Sequence, residues 1–217
     1  MKKISVFTLV LLCSSVFALA GTPKMGLGAR IAAGYGTIWG LEDDWSGGEN
    51  DETPSGIDLD VGIIGRYELT PIFHFTPELL FRYASLSQDD DLGERKFSQT
   101  DIQIPLLVRA NVTPKMYGYV GPQMGLNIGS DVSISANVTN KATGEASKKS
   151  FSDDIDQAVF NFGVSAGFGY YALEKLSIDL RIYLGLTELY PDAKSVMVDL
   201  NGAKLFAIKV GFNYWIF

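Results

Sequence analysis

From residue 203 to the C-terminus the chain alternates without a break. Phe206, Ile208, Val210, Phe212, Tyr214 and Ile216 share one parity, while Ala207, Lys209, Gly211 and Asn213 hold the other. A period of two, with one apolar face and one small or polar face, belongs to a β-strand. Seven earlier stretches carry the same signal. Residues 25–39 set Leu27, Ala29, Ile31, Ala33, Tyr35 and Trp39 against Gly28, Arg30, Gly34 and Gly36. Residues 57–69 set Ile57, Leu59, Val61, Ile63, Tyr67 and Leu69 against Asp58, Asp60, Arg66 and Glu68. Residues 72–85 follow, with Phe73, Phe75, Leu79, Phe81 and Tyr83 opposing His74, Thr76, Glu78 and Arg82; Pro77 fits there only at a bulge or near a strand end. Further strands are predicted over 98–112, 116–128, 158–171 and 176–189, which brings the count to eight.

The connections sort by length. Thr70-Pro71, Thr113-Pro114-Lys115 and Leu173-Glu174-Lys175 make tight turns. Residues 40–56, 86–96, 129–157 and 190–202 are long and polar, although Val132, Ile134 and Val138 suit a hairpin running past a barrel rim. Long and short connections alternate, and an even strand count brings both termini to the side of the short turns. Outer-membrane barrels have this asymmetry, and about 9 to 11 tilted residues suffice to cross a bilayer. One parity is crowded with Gly, Ala and Ser, which suits a narrow interior. The other carries bulky Leu, Ile, Phe and Tyr, which suits lipid. The predicted fold is therefore all-β, an eight-stranded antiparallel up-and-down transmembrane β-barrel. A soluble lipocalin-like barrel binding small apolar ligands has the same strand number but reverses the two faces.

The N-terminus adds a destination. Lys2 and Lys3 precede an apolar run that ends in Ala18-Leu19-Ala20, the form of a secretory signal cut after Ala20. Residues 21–217 then form the barrel domain. Leu12 stands where a lipoprotein signal needs a small residue, so Cys13 does not mark a lipid anchor, and the exported chain is expected to hold no disulfide. Removing the two leader lysines from a formal charge of −7 leaves −9, which argues against a nucleic-acid partner. After Ala20 no apolar run approaches the roughly 18 residues of a spanning helix.

Two stretches carry a family resemblance. D-I-Q-I-P-L-L-V-R-A-N-V-T-P-K-M-Y-G-Y-V-G-P-Q-M-G, from Asp101 to Gly125, resembles the PorT-like outer-membrane β-barrel family of Bacteroidetes-type bacteria. T-P-E-L-L-F-R-Y, from Thr76 to Tyr83, is similar to that family's third strand. The resemblance implies the cell outer membrane, in a Gram-negative envelope, without fixing a role. Phe217 directly follows Ile216 and so falls out of phase with the apolar face, a departure from the family's usual closing strand.

Candidate chemistry lies on the polar parity. Arg30, Asp58, Asp60, Arg66, Glu68, Glu78, Arg82, Asp101, Gln103, Arg109, Asp179, Arg181 and Lys209 are expected to point inward. Both signs occur, so the interior is read as a paired network plugging a barrel too narrow to conduct. A small outer-membrane channel is the competing reading. His74, the single histidine, has no serine nearby on its face for ester attack, and no zinc ligand set exists. Acidic residues at 42–52 and 89–94 read as solvated loops rather than calcium sites, because neither has the EF-hand spacing. Tyr35, Trp39, Tyr67, Tyr83, Tyr170, Tyr214 and Trp215 read as interface girdles. Phe212, Tyr214, Ile216 and Phe217 form the expected assembly strand. No catalytic residue, cofactor or metal is predicted. Expected partners are outer-membrane lipid and lipopolysaccharide, the barrel-assembly machinery during insertion, and an extracellular or envelope protein reached through the four long loops.

Overall fold

A computed structural model describes residues 24–40, 53–90, 93–139, 146–154, 160–189, 194–195, 198–199 and 202–217. The leader over 1–20 and the acidic stretch 42–52 lie outside the described residues. The barrel strands are β1 (Met25–Trp39), β2 (Ser55–Glu68), β3 (Phe73–Asp90), β4 (Gly93–Asn111), β5 (Met116–Thr139), β7 (Phe160–Tyr171), β8 (Leu176–Gly185) and β11 (Lys204–Trp215). Three shorter strands lie between them: β6 (Ala146–Asp154), β9 (Lys194–Ser195) and β10 (Val198–Asp199).

Every pairing is antiparallel, in the order β4-β3-β2-β1-β11-β8-β7-β5, and a β4–β5 ladder closes the ring. The first strand pairs with the last, Gly28 opposite Trp215 and Trp39 opposite Lys204. Closure leaves no barrel edge, so every strand finds backbone partners on both sides. The fold is the closed eight-stranded barrel the alternation predicted.

The two faces are those the sequence assigns. Ile31, Leu59, Val61, Ile63, Leu79, Phe81, Val108, Val120, Phe168, Ile182, Val210 and Phe212 are exposed on the outside. Tyr35, Trp39 and Tyr83 lie toward one end of this belt, and Phe73, Tyr170 and Tyr214 toward the other. A lipocalin-like barrel would show the reverse, so the soluble reading does not hold. One expected result follows. Ile31, 60 % exposed and flanked by Val61 and Phe212, sits mid-belt. Ile31→Arg should cost about 2–4 kcal/mol in urea unfolding from lipid vesicles, the cost of a cation at bilayer midplane depth. An unchanged midpoint would mean that this face does not meet lipid.

Several boundaries differ from expectation. Residues 86–96, read as a polar loop, are mostly ladder: β3 and β4 pair as far as Asp90 opposite Gly93. The alternation does continue there, since Ala84, Leu86 and Gln88 all turn inward and are buried. Polar residues hide this because a strand beyond the bilayer no longer needs an apolar outer face. The hairpin suggested by Val132, Ile134 and Val138 is present as the β5–β6 ladder, Asp131 opposite Asp154 to Thr139 opposite Ala146. Conversely, β8 stops at Gly185 rather than 189, and the last stretch read as a loop contains the short β9–β10 pair.

The C-terminus is held. Ile216 N–H donates to the Leu27 carbonyl at 2.8 Å, and Leu27 N–H donates to that of Phe217 at 3.3 Å. Lys175 Nζ adds a bond of 3.0 Å to the Ile216 carbonyl. Phe212, Tyr214, Ile216 and Phe217 are all exposed.

Candidate functional site

Eight strands enclose a space that side chains alone can fill. Because the inward parity mixes both charges with small residues, the interior sorts into pairs that reach across it. Around the ring, β3 stands four places from β8, β2 four from β7, and β4 four from β11, so each pair is diametrically opposed.

Arg181 on β8 meets Glu78 on β3 with two parallel bonds of 2.8 Å, Nη1 to Oε2 and Nη2 to Oε1. This fork joins opposite walls through the centre of the lumen. Arg30 on β1 donates to both oxygens of Asp179 on β8, and to Asn213 Oδ1 at 2.9 Å. Asp179 also accepts from Tyr119 Oη at 2.8 Å and from Asn213 Nδ2, so about four lone-pair directions are used.

A second cluster lies toward the long connections. Arg82 has no solvent exposure; its Nε and Nη2 donate to Asp58 and its Nη1 to Asp101 at 2.7 Å. Lys209 Nζ sits 2.8 Å from Asp58 and 2.8 Å from Asp60. Gln99 Nε2 donates to both Asp101 oxygens, and Gln123 links Gln103 to Ser165. Buried ion pairs like these hold only with every partner in place.

Toward the short turns the interior turns aromatic. Arg109 on β4 lies 3.2 Å from the centre of the Tyr117 ring, 4.9 Å from Tyr171 and 5.9 Å from Trp215 on the opposite wall. Arg66 on β2 lies 4.7 Å from the Trp215 ring and donates to Tyr171 Oη across the barrel at 3.1 Å. Arg66 and Glu68 are half-buried; the other charged residues read as inward are buried. His74 is buried beside the ladder partners Glu68 and Arg109.

Trp215, read as a girdle residue, is instead 3 % exposed inside the lumen, because it shares the parity of Lys209 and Asn213 rather than of Tyr214. Tyr67, read with the outer girdle, is also buried. Sequence reasoning sets Tyr119 and Tyr183 on the polar parity but does not single out an aromatic lining. Tyr117, Tyr119, Tyr171 and Tyr183 sit on the inward parity, and that parity was the available signal. The ladder places Tyr117 opposite Gly169 and Tyr119 opposite Gly167, so a neighbouring glycine makes room for each ring.

A closed antiparallel barrel with an apolar belt outside and a charged, packed interior is a transmembrane β-barrel protein. The chain belongs to the outer membrane protein beta-barrel domain family, whose model matches residues 27–190. Among solved structures it is similar to neisserial surface protein A, at 12 % identity over 87 % of this chain and 96 % of that one, TM-score 0.48. It is similar to Ail, the attachment invasion locus protein of Yersinia pestis, at 15 % identity over 89 % and 99 %, TM-score 0.40. OprG of Pseudomonas aeruginosa gives 14 % identity over 88 % and 95 %, TM-score 0.38. No curated protein sequence matches the chain.

Proposed function

We propose that this outer-membrane barrel neither conducts nor catalyses, and serves the envelope as a structural, adhesive or secretion-accessory scaffold. The observation that carries this reading is the Arg181–Glu78 fork, which ties opposite walls of a lumen otherwise filled by the buried ion pairs of Arg30, Arg82 and Lys209. An ion moving through would have to break bidentate buried pairs, each strongly destabilised by loss of one partner.

The working surface is then the end of the long connections. There β3, β4, β5 and β6 continue as one antiparallel sheet past the start of β2 at Ser55. A partner protein of the envelope or of the outside would bind at this end, beside lipopolysaccharide. The leader over 1–20 would be removed on export, and the barrel-assembly machinery would engage the closing strand at Phe212, Tyr214, Ile216 and Phe217. The two motif stretches support kinship with PorT-like barrels.

Planar-bilayer recording tests the plug. Purified barrel should give no unitary steps, and should resist SDS until boiled, when its gel mobility shifts. Stable steps in the unmodified protein, altered by Glu78→Gln, would establish the channel reading instead.

A further inference from the structure

Beneath the aromatic layer lies a cavity of about 20 Å³, room for one water-sized particle. Its lining includes Arg30, Thr76, Arg109 and Trp215. Arg30 Nε, Arg109 Nε, Arg109 Nη2, Trp215 Nε1 and Thr76 Oγ1 are all buried and have no hydrogen-bond partner among the described residues. All five can donate, and Thr76 alone can also accept.

The carboxylates nearby are already engaged in ion pairs. Both Glu78 oxygens accept from Arg181, and Asp179 accepts from Arg30, Tyr119 and Asn213. Charge points the same way. The titratable groups lining the cavity are Arg30, Arg109 and Arg181 against Glu78 and Asp179, with Tyr117 and Tyr119 neutral at physiological pH, which leaves one positive charge in excess. Arg109 is that excess: it is 3 % exposed and has no carboxylate within ion-pair distance among the described residues. Arg66 adds a second cation above Trp215, with Glu68 and His74 at the same end of the lumen. The compensating negative charge lies in the other layer, where Asp58, Asp60 and Asp101 outnumber Arg82 and Lys209.

A water accepts about two hydrogen bonds, fewer than the five donors here offer, and leaves the excess positive charge unpaired. A small anion accepts from every side and matches the excess charge. We propose that the cavity is a binding site for one halide-sized monovalent anion, chloride in the cell, held by Arg109, Arg30, Trp215 and Thr76. Occupancy would complete the plug by pairing the Arg109 guanidinium.

Crystals of the full barrel grown in bromide, with anomalous diffraction at the bromine edge, locate the ion directly. The expected result is one peak in this cavity, lost in Arg109→Met. In detergent micelles at fixed ionic strength, replacing gluconate by chloride should raise the unfolding midpoint of the unmodified protein. Thr76→Val keeps shape and fold but removes one donor, and should raise the half-saturating chloride concentration about tenfold. A cavity without bromide, or a chloride response unchanged by Thr76→Val, overturns the proposal even if Arg109→Met fails to fold.

Discussion

Arg82→Met should lower the unfolding free energy of the barrel by about 3–5 kcal/mol, the range for removing one member of a buried ion pair. Arg82 is fully buried and is the common partner of Asp58 and Asp101. Without it, Asp58 keeps Lys209, which Asp60 also claims. Among the described residues Asp101 then keeps only amide donors, Gln99 at 2.9 Å and Asn127 at 3.4 Å. The cluster's charge would go from one negative in excess to two, among side chains that are all buried. The loss should therefore exceed that of any exposed salt bridge, for which about 0–1 kcal/mol is usual.

The triple variant Arg82→Met, Asp58→Asn, Asp101→Asn leaves Lys209 paired with Asp60 and should recover most of the loss. Urea unfolding from lipid vesicles, followed by tryptophan fluorescence, measures both. A loss for Arg82→Met below about 1 kcal/mol would mean that the cluster is hydrated, because exposed pairs are worth no more than that. Failure of the triple variant to recover would mean that geometry rather than charge governs this layer.

The second large effect belongs to a residue with no side chain. Gly167→Val should destabilise by about 1–3 kcal/mol through overpacking, plus what its neighbours lose. A Cβ at Gly167 would collide with the Leu180 carbonyl on β8 and with the Tyr119 hydroxyl on β5. The carbonyl belongs to the ladder and cannot retreat without opening it. Tyr119 cannot retreat freely either, since its hydroxyl donates to Asp179 at 2.8 Å and accepts from Arg181 Nε at 3.3 Å. The strain would pass from a backbone position into the ion pairs that close the lumen.

A double-mutant cycle separates the two collisions. Gly167→Val with Tyr119→Leu should cost less than the sum of the single changes, by at least about 0.5 kcal/mol, because contacting residues couple. Additive costs would place the whole burden on the Leu180 carbonyl. A variant as stable as the parent would contradict the close approach itself.

The parity of each segment was legible in the sequence, and so was the identity of the inward charges. Ile57, Leu59, Val61 and Ile63 against Asp58 and Asp60 admit one assignment once the outer face is lipid. Strand ends were less legible. Residues 86–96 keep their alternation but lose their apolar outer face beyond the bilayer, so hydropathy stops reporting a strand that continues. The girdle was misread at Trp215 because an aromatic next to Tyr214 resembles its neighbour, although its parity is that of Asn213.

Alternation along the chain is enough to specify a strand-built barrel, which face meets lipid, and which side chains share the interior. Period two fixes all of this locally, since each residue's face depends only on its neighbours along the strand. Which side chains pair with which is set by the closed barrel. Arg181 and Glu78 are 103 residues apart, and Arg30 and Asp179 are 149 apart. Their meeting depends on ring order and ladder register. The same is true of Tyr117 over Gly169, of the donors that converge on one cavity, and of Arg109 lying among three rings without a carboxylate. Those are relations between strands, set by ladder register and ring order rather than by neighbours along one strand.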